Sequence, residues 1–242
     1  MLRYFVADIH LSDKQPEISV SFIRFLQQLP NYSELYILGD LFDAWVGDDI
    51  QTELHNDIAH QLKSLSRRGI RTFFIQGNRD FLLRKSYAKK CAMTILPEIY
   101  VLKQGDKNIL ILHGDQLCTD DAAYQRFRRI VHNRLWQNCF LLLPAIFRQY
   151  IARRLRNRSR ERNSQKADDV MDVNAQAVND IMTKYRADIL IHGHTHRPAS
   201  YQFEYQGKQL QRFVLGAWHD NGDYVVAGER LALVTLETDC SE

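Results

Sequence analysis

Leu2-Arg3-Tyr4-Phe5-Val6-Ala7-Asp8-Ile9-His10 is a short apolar run that ends in two polar side chains with one residue between them. In an extended chain, side chains two positions apart point to the same side, so Asp8 and His10 can grip one ion. The pattern recurs along the chain. Glu34–Leu38 runs into Gly39-Asp40, and Thr72–Gln76 into Gly77-Asn78-Arg79-Asp80. Asn108–Leu112 ends at His113-Gly114-Asp115, and Asp188–Ile191 at His192-Gly193-His194-Thr195-His196. Candidate ligands at the carboxyl ends of strands, beside glycines that let the backbone turn tightly, are where α/β sheets build sites.

Between these runs, Ser19–Leu29, Glu53–Arg68 and Asn174–Tyr185 carry apolar residues at spacings of three and four, which predicts amphipathic helices. Gly69 follows the second as a C-cap residue. Ser200–Tyr205, Gln209–Leu215 and Leu231–Leu236 read as further strands, the first two joined by a hairpin turn at Gln206-Gly207. The alternation predicts a layered α/β fold. At 242 residues one core suffices, and 45% apolar with 25% charged residues excludes a disordered chain. The cysteines at 91, 118, 139 and 240 are too scattered for a disulfide framework or a thiolate zinc site, which favours a reducing compartment. The N-terminus breaks its apolar stretch too early for a secretory signal, and the longest apolar run, Cys139–Phe147, contains Pro144 and is far short of a bilayer span of roughly 20 residues. A cytoplasmic protein is the expectation.

The mild net charge of +3 hides an uneven distribution. Residues 122–167 hold twelve Arg and Lys against one acid, Glu161, so this segment carries +11 and the remainder −8. Within it Leu135, Trp136, Cys139, Phe140, Leu143, Phe147, Tyr150, Ile151 and Leu155 form an apolar stripe at helical spacing, and Pro144 suits the start of a second helix. The segment reads as a helical insertion. Such a stripe beside dense arginine suits an amphiphile with acyl chains and an anionic head, or an anionic membrane surface. Two other uses are a plain hairpin packed on the main domain and a track for a nucleic-acid backbone; the apolar run is longer than the latter needs.

D-x-H, G-D, G-N-x-D, H-G and G-H-x-H, in this order from Asp8 to His196, resemble the calcineurin-type metallophosphoesterases. The length predicts a single domain over 1–242 and the charge and apolar pattern a helical lid insertion at 122–167; the resemblance implies a four-layer β-sandwich flanked by helices. It implies two metals at one edge: Asp8, His10, Asp40 and His196 around one, with Asp40 bridging to a second completed by Asn78, His113 and His194. His192 is expected outside the ligand set. Carboxylate, imidazole and amide donors without thiolate suit Mn²⁺, Fe²⁺ or Zn²⁺.

One position departs from the family pattern. Most members carry His after the G-N pair, assigned as the acid that protonates the leaving group; here Arg79 stands there. A guanidinium donates hydrogen bonds but is a poor proton shuttle, and its fork suits phosphate oxygens. A leaving group that is already a stable anion, such as a phosphate released from a pyrophosphate, needs no acid. Within the family, the chain is similar to the bacterial pyrophosphohydrolases of lipid A synthesis that act on a UDP-linked diacylglucosamine. The matching stretches are Ala7–Leu11, Tyr36–Asp49, Gly77–Leu83, His113–Asp115 with Leu117–Asp121, Asn163-Ser164 with Lys166, Met171–Asn174, His192–Pro198 and Leu215–His219. That resemblance implies two Mn²⁺ ions, hydrolysis to UMP and the lipid 1-phosphate, and substrate contacts from Asn78, Arg79, Asp121, Ser159, Asn163, Lys166 and His194. Arg79 and His194 take the catalytic roles. It also implies peripheral contact with the cytoplasmic face of the inner membrane, with no nucleic acid and no obligate protein partner. A broader phosphodiesterase or nuclease of the same family, and a metal-dependent scaffold, are the rival readings.

Overall fold

In the computed structural model, residues 1–163, 172–219 and 221–237 are described. The first half alternates strand and helix: β1 (Arg3–Val6), α1 (Pro16–Gln28), β2 (Glu34–Leu38), α2 (Glu53–Arg67), β3 (Arg71–Ile75), α3 (Lys85–Lys90) and β4 (Met93–Ile95). Then come β5 (Ile99–Gln104) and β6 (Lys107–Leu112), followed by three helices: α4 (Ala122–Val131), α5 (Arg134–Leu141) and α6 (Ala145–Asn163). α7 (Ala175–Lys184) leads into β7 (Ile189–His192), β8 (Ala199–Tyr205), β9 (Lys208–Val214), β10 (Asn221–Ala227) and β11 (Leu231–Glu237). The strands form a six-stranded sheet in the order β11-β10-β1-β2-β3-β4 and a five-stranded sheet in the order β5-β6-β7-β9-β8.

Side-chain alternation along the central strands builds the four layers. Leu35 and Ile37 of β2 face one way, into a core that holds Phe22 and Phe25 of α1 with Ile58 and Leu62 of α2. Tyr36 and Leu38 face the other way, onto Ile109 and Ile111 of β6 and Ile189 and Ile191 of β7. The outer face of the second sheet, Leu110, Leu112 and Leu190, is covered by Val178 and Met182 of α7. β2 is therefore buried on both faces, which is why it reads as a continuous apolar run.

Every strand and helix expected from the sequence is present, with ends shifted by a few residues at most. Gly69 ends α2 at φ 70°, and Gln206 and Gly207 turn the β8–β9 hairpin at φ 52° and 73°, both left-handed as a type I′ turn requires. The sequence pattern did not disclose α3, β4, β5 or β10: β4 has three residues, and β10 opens on the polar run Asn221-Gly222-Asp223.

The basic segment forms three helices rather than two. Asn133 caps α5, its side chain accepting the backbone N–H groups of Leu135 and Trp136, and Pro144 immediately precedes α6. The apolar stripe divides. Phe140 is buried, and Trp136 and Ile151 pack with it on the α1/α2 core. Leu135, Leu143, Phe147, Tyr150 and Leu155 are exposed, together with Leu142 and Ile146. Arg148, buried in α6, pins this unit down: its guanidinium donates to Asp49 Oδ1 at 2.8 Å and to the Val46 carbonyl at 2.7 Å. Among the described residues, no helix is long and apolar enough to cross a membrane.

Candidate metal centre

The parallel β1–β2 ladder does not stop where the strands do. Beyond it, Asp8 N–H donates to Gly39 O at 3.1 Å and His10 N–H to Asp40 O at 3.0 Å, which carries Asp8, His10 and Asp40 to one edge. Gly193 N–H donates to His113 O at 2.8 Å and brings the late histidine loop to the same edge. Asp8, His10, Asp40, His194 and His196 all adopt left-handed backbone, with φ of 53°, 55°, 54°, 73° and 57°. Such angles are uncommon outside glycine, and they concentrate where surrounding structure holds a strained site in place. Two glycines give the carboxylates room: a Cβ on Gly193 would lie 2.2 Å from Asp8 Oδ2, and one on Gly77 would lie 2.2 Å from Asp40 Oδ1.

The seven expected ligand side chains converge. Asp8 Oδ1 lies 3.3 Å from His196 Nε2 and 3.8 Å from His10 Nε2, while the two imidazole Nε2 atoms are 3.2 Å apart. Asp40 Oδ1 is 3.7 Å from His113 Nε2, and Asn78 Oδ1 is 2.8 Å from His113 Nε2 and 2.9 Å from His194 Nδ1. Two groups have donor atoms close enough to share an ion: Asp8 with His10 and His196, and Asp8 with Asp40 and His113. Asp8 belongs to both. Asp8 Oδ1 is buried with no hydrogen-bond partner among the described residues, an expensive state for a carboxylate oxygen and one that a cation would relieve. The donor chemistry and this orphaned atom fit divalent metal.

Electrostatics follow from burial. Burial would raise the Asp8 carboxyl, but the adjacent His196 and His113 rings outweigh it and hold the group well below the usual carboxylate range. Burial, with Asp80 and Asp8 close by, pushes Asp40 up despite the opposing His113. His113 goes up to about 9, because Asp40, Asp8 and Asp115 overcome the burial that alone would lower it. Burial drives His194 down to about 4 and His10 to about 2.

Arg79 faces the site. Its Nε is 3.4 Å from Asp40 Oδ2, its Nη1 donates to Asp43 Oδ1 at 2.6 Å, and the other Asp43 oxygen accepts from Arg156 of α6. Asp121 caps α4, accepting the Tyr124 N–H at 3.1 Å. The side chains of Ser159 and Asn163, and all of Lys166, lie outside the described residues. His192 is fully buried, with Nδ1 2.9 Å from the Gly193 carbonyl oxygen, and stands in neither candidate group. Sequence reading gave no role to Asp80, whose two oxygens accept the Leu41 and Gly77 N–H groups at 2.8 Å each and so fix the Asp40 and Asn78 loops against each other. Its place in G-N-x-D was the available signal. Asp43, Tyr124 and Arg156 had none, since their partners are remote in sequence.

A family model described as calcineurin-like phosphoesterase matches residues 1–198. The chain belongs to the calcineurin-like phosphoesterases. This phosphoesterase is 48% identical over 236 residues, 97% of its own length and 98% of the relative's, to the UDP-2,3-diacylglucosamine hydrolase of Proteus mirabilis. It is 50% identical to the Salmonella arizonae protein of the same name over 226 residues, covering 93% and 94% of the two chains. Among solved structures, a Vps29 single mutant from Entamoeba histolytica aligns with a TM-score of 0.48 at 14% identity, covering 98% of this chain and 99% of that one. The family uses a dinuclear metal site, and the calcineurin-like edge built here offers the Asp and His groups for it.

Proposed function

We propose that this phosphoesterase hydrolyses the pyrophosphate bond of UDP-2,3-diacylglucosamine, releasing UMP and 2,3-diacylglucosamine 1-phosphate in lipid A synthesis. The relatives that match it nearly end to end carry that hydrolase name. The observation that carries the chemistry is the placement of Arg79: a guanidinium fork against Asp40 at the edge where most family members place a proton donor. The fork binds phosphate oxygens through paired donors. The departing lipid phosphate is already an anion, so no side chain has to protonate it.

Asp8, His10, Asp40 and His196 would hold one ion, with Asp40 reaching a second held by Asn78, His113 and His194; Mn²⁺ is the ion we assign. A pair of such ions, when bound, supplies an activated water and neutralises phosphoryl charge for in-line displacement. The protein's own part is positional. Asn78, Arg79 and His194 surround the transferring group and stabilise the charge that develops on it. Water adds at the phosphorus attached to uridine, and the bond from that phosphorus to the bridging oxygen breaks. Asp121, Ser159, Asn163 and Lys166 would contact the sugar and phosphates. Residues 122–167 act as a lid over the acyl chains, and the exposed face of α5 and α6 rests on the cytoplasmic face of the inner membrane.

The test is Mn²⁺-dependent turnover of UDP-2,3-diacylglucosamine by the wild type and by Asp40→Ala. Activity in the first and none in the second is expected, and in ¹⁸O-water the label enters UMP. A wild type that cleaves nucleotides but not this lipid would overturn the substrate assignment; label in the lipid phosphate would overturn the point of attack.

A further inference from the structure

The first two turns of α4 are stapled to the segment that follows His113. Tyr124 Oη donates to Asp115 Oδ2 at 2.9 Å, and Arg128 Nε donates to the same oxygen at 2.7 Å. Gln125 Nε2 donates to the Asp115 carbonyl at 2.8 Å and the Cys118 carbonyl at 3.0 Å. Asp115 is buried, and a second acid extends the clasp: Arg128 Nη2 donates to Glu98 Oε2 at 2.9 Å, and His132 Nδ1 stands 2.6 Å from Glu98 Oε1. A carboxylate this enclosed is satisfied by charge-assisted bonds, which are stronger and more directional than neutral ones. Asp121 adds the last restraint, capping α4 on the Tyr124 N–H.

What this clasp holds in place is an aromatic ring against the metal edge. The Tyr124 ring stacks on the His194 imidazole with centroids 6.1 Å apart and planes inclined by 26°. The His113 ring meets His194 edge-on at 5.2 Å and 68°. His194 thus stands between His113 and Tyr124, with its backbone N–H given to Asp8 Oδ2 at 2.7 Å and its Nδ1 beside Asn78 Oδ1. Remove Tyr124 and one flank of the imidazole loses its wall, while the other contacts remain.

We propose that Tyr124 is a positioning residue: locked by Asp115, it sets the ring orientation of His194 and thereby makes the docking of α4 a condition for a complete metal edge. The proposal rests on the reading of His194 as a metal ligand and charge stabiliser given above. A contact that merely glued α4 to the body would affect lipid binding; one that orients His194 affects the metal and the turnover number.

The experiment measures Mn²⁺ binding by titration calorimetry, and kcat and KM on UDP-2,3-diacylglucosamine. The proteins are the wild type, Tyr124→Ala, Tyr124→Phe, His194→Ala and the double variant. Tyr124→Ala is expected to weaken one of two Mn²⁺ ions and to lower kcat, each by about tenfold, with KM within about twofold. Tyr124→Phe, which keeps the ring and loses the lock, falls between it and wild type. In the His194→Ala background the Tyr124 substitution adds nothing, because its route of action is already gone. An equal loss in both backgrounds, a KM change at constant kcat, or unchanged Mn²⁺ binding would each overturn the proposal. Should Tyr124→Ala not fold, Tyr124→Phe and Arg128→Gln carry the same comparison. A wild type inactive on the lipid would defeat the substrate assignment alone, since the Mn²⁺ titration still reads His194; a wild type that binds no Mn²⁺ would overturn both.

Discussion

His10 and His196, remote in sequence, place their Nε2 atoms 3.2 Å apart at the edge of the sandwich, where both face the same Asp8 oxygen at 3.8 and 3.3 Å. Two imidazole nitrogens each about 2.1 Å from one ion stand roughly 3 to 3.5 Å apart, so the pair is already at ligand spacing. His10→Ala is expected to leave the fold intact, release one of two ions and lower Mn²⁺-dependent turnover by at least about a hundredfold. Metal analysis of the purified variant beside its turnover rate checks this. Full metal content with wild-type turnover would remove His10 from the site.

Chelation exposes the cost of burying these rings. Burial holds His192 and His194 at about 4 and His10 at about 2, against an ordinary value near 6.5. Between those values the unfolded chain binds protons that the folded chain refuses, so unfolding grows easier as pH falls. Their contribution is complete above about pH 6.5 and drains away below it. Asp40 and Asp80, both pushed up by burial, work the other way and offset part of this loss. The metal-free protein should therefore lose stability from pH 6.5 to 4.5, by on the order of 1–3 kcal/mol per pH unit. Urea unfolding of the chelated protein at several pH values measures it, and a flat profile would contradict the burial argument.

The layers, and the gathering of the Asp and His side chains at one edge, were legible because the residues concerned follow short apolar runs. β2 announces its two buried faces by an apolar run, whereas Asp8 and His10 meet through left-handed backbone beyond the end of β1 and not through the extended spacing expected of them. The exposed half of the insertion was not legible. Trp136 and Leu135 are neighbours on one helix, yet the first packs on the core and the second is 73% exposed. Helical periodicity marks an apolar stripe but does not say which part of it another element covers. The Asp43 bridge between Arg79 and Arg156 was equally hidden, since it joins residues 113 positions apart.

Arg79 offers a sharper substitution than its removal. Lysine keeps the charge but not the planar fork that reaches Asp43 and Asp40. Arg79→Lys is expected to lower kcat/KM for the UDP-lipid by about ten- to a hundredfold, with metal content unchanged. If Arg79 served as a general acid, Arg79→Lys, bearing a more readily lost proton, would keep activity and shift its pH optimum. Initial rates across pH 6 to about 10 separate the two.

The exposed insertion face makes the last expectation. Leu142 and Ile146 are 86% and 78% exposed, Phe147 is 60% exposed, and arginines flank them in a segment that carries +11. A large apolar residue left in water gains roughly 1.5–3 kcal/mol on reaching a lipid interface, and each nearby cation adds about 1 kcal/mol against anionic headgroups. Because these side chains point away from the core, replacing them should not disturb folding. Leu142→Glu combined with Phe147→Glu is expected to keep the wild-type melting temperature. Co-sedimentation with phosphatidylglycerol vesicles should fall by at least about tenfold, as should turnover of vesicle-embedded substrate. Turnover of the same lipid in detergent should not change. Equal loss in detergent and vesicles would mean that Leu142 and Phe147 hold the acyl chains themselves, placing the membrane contact elsewhere.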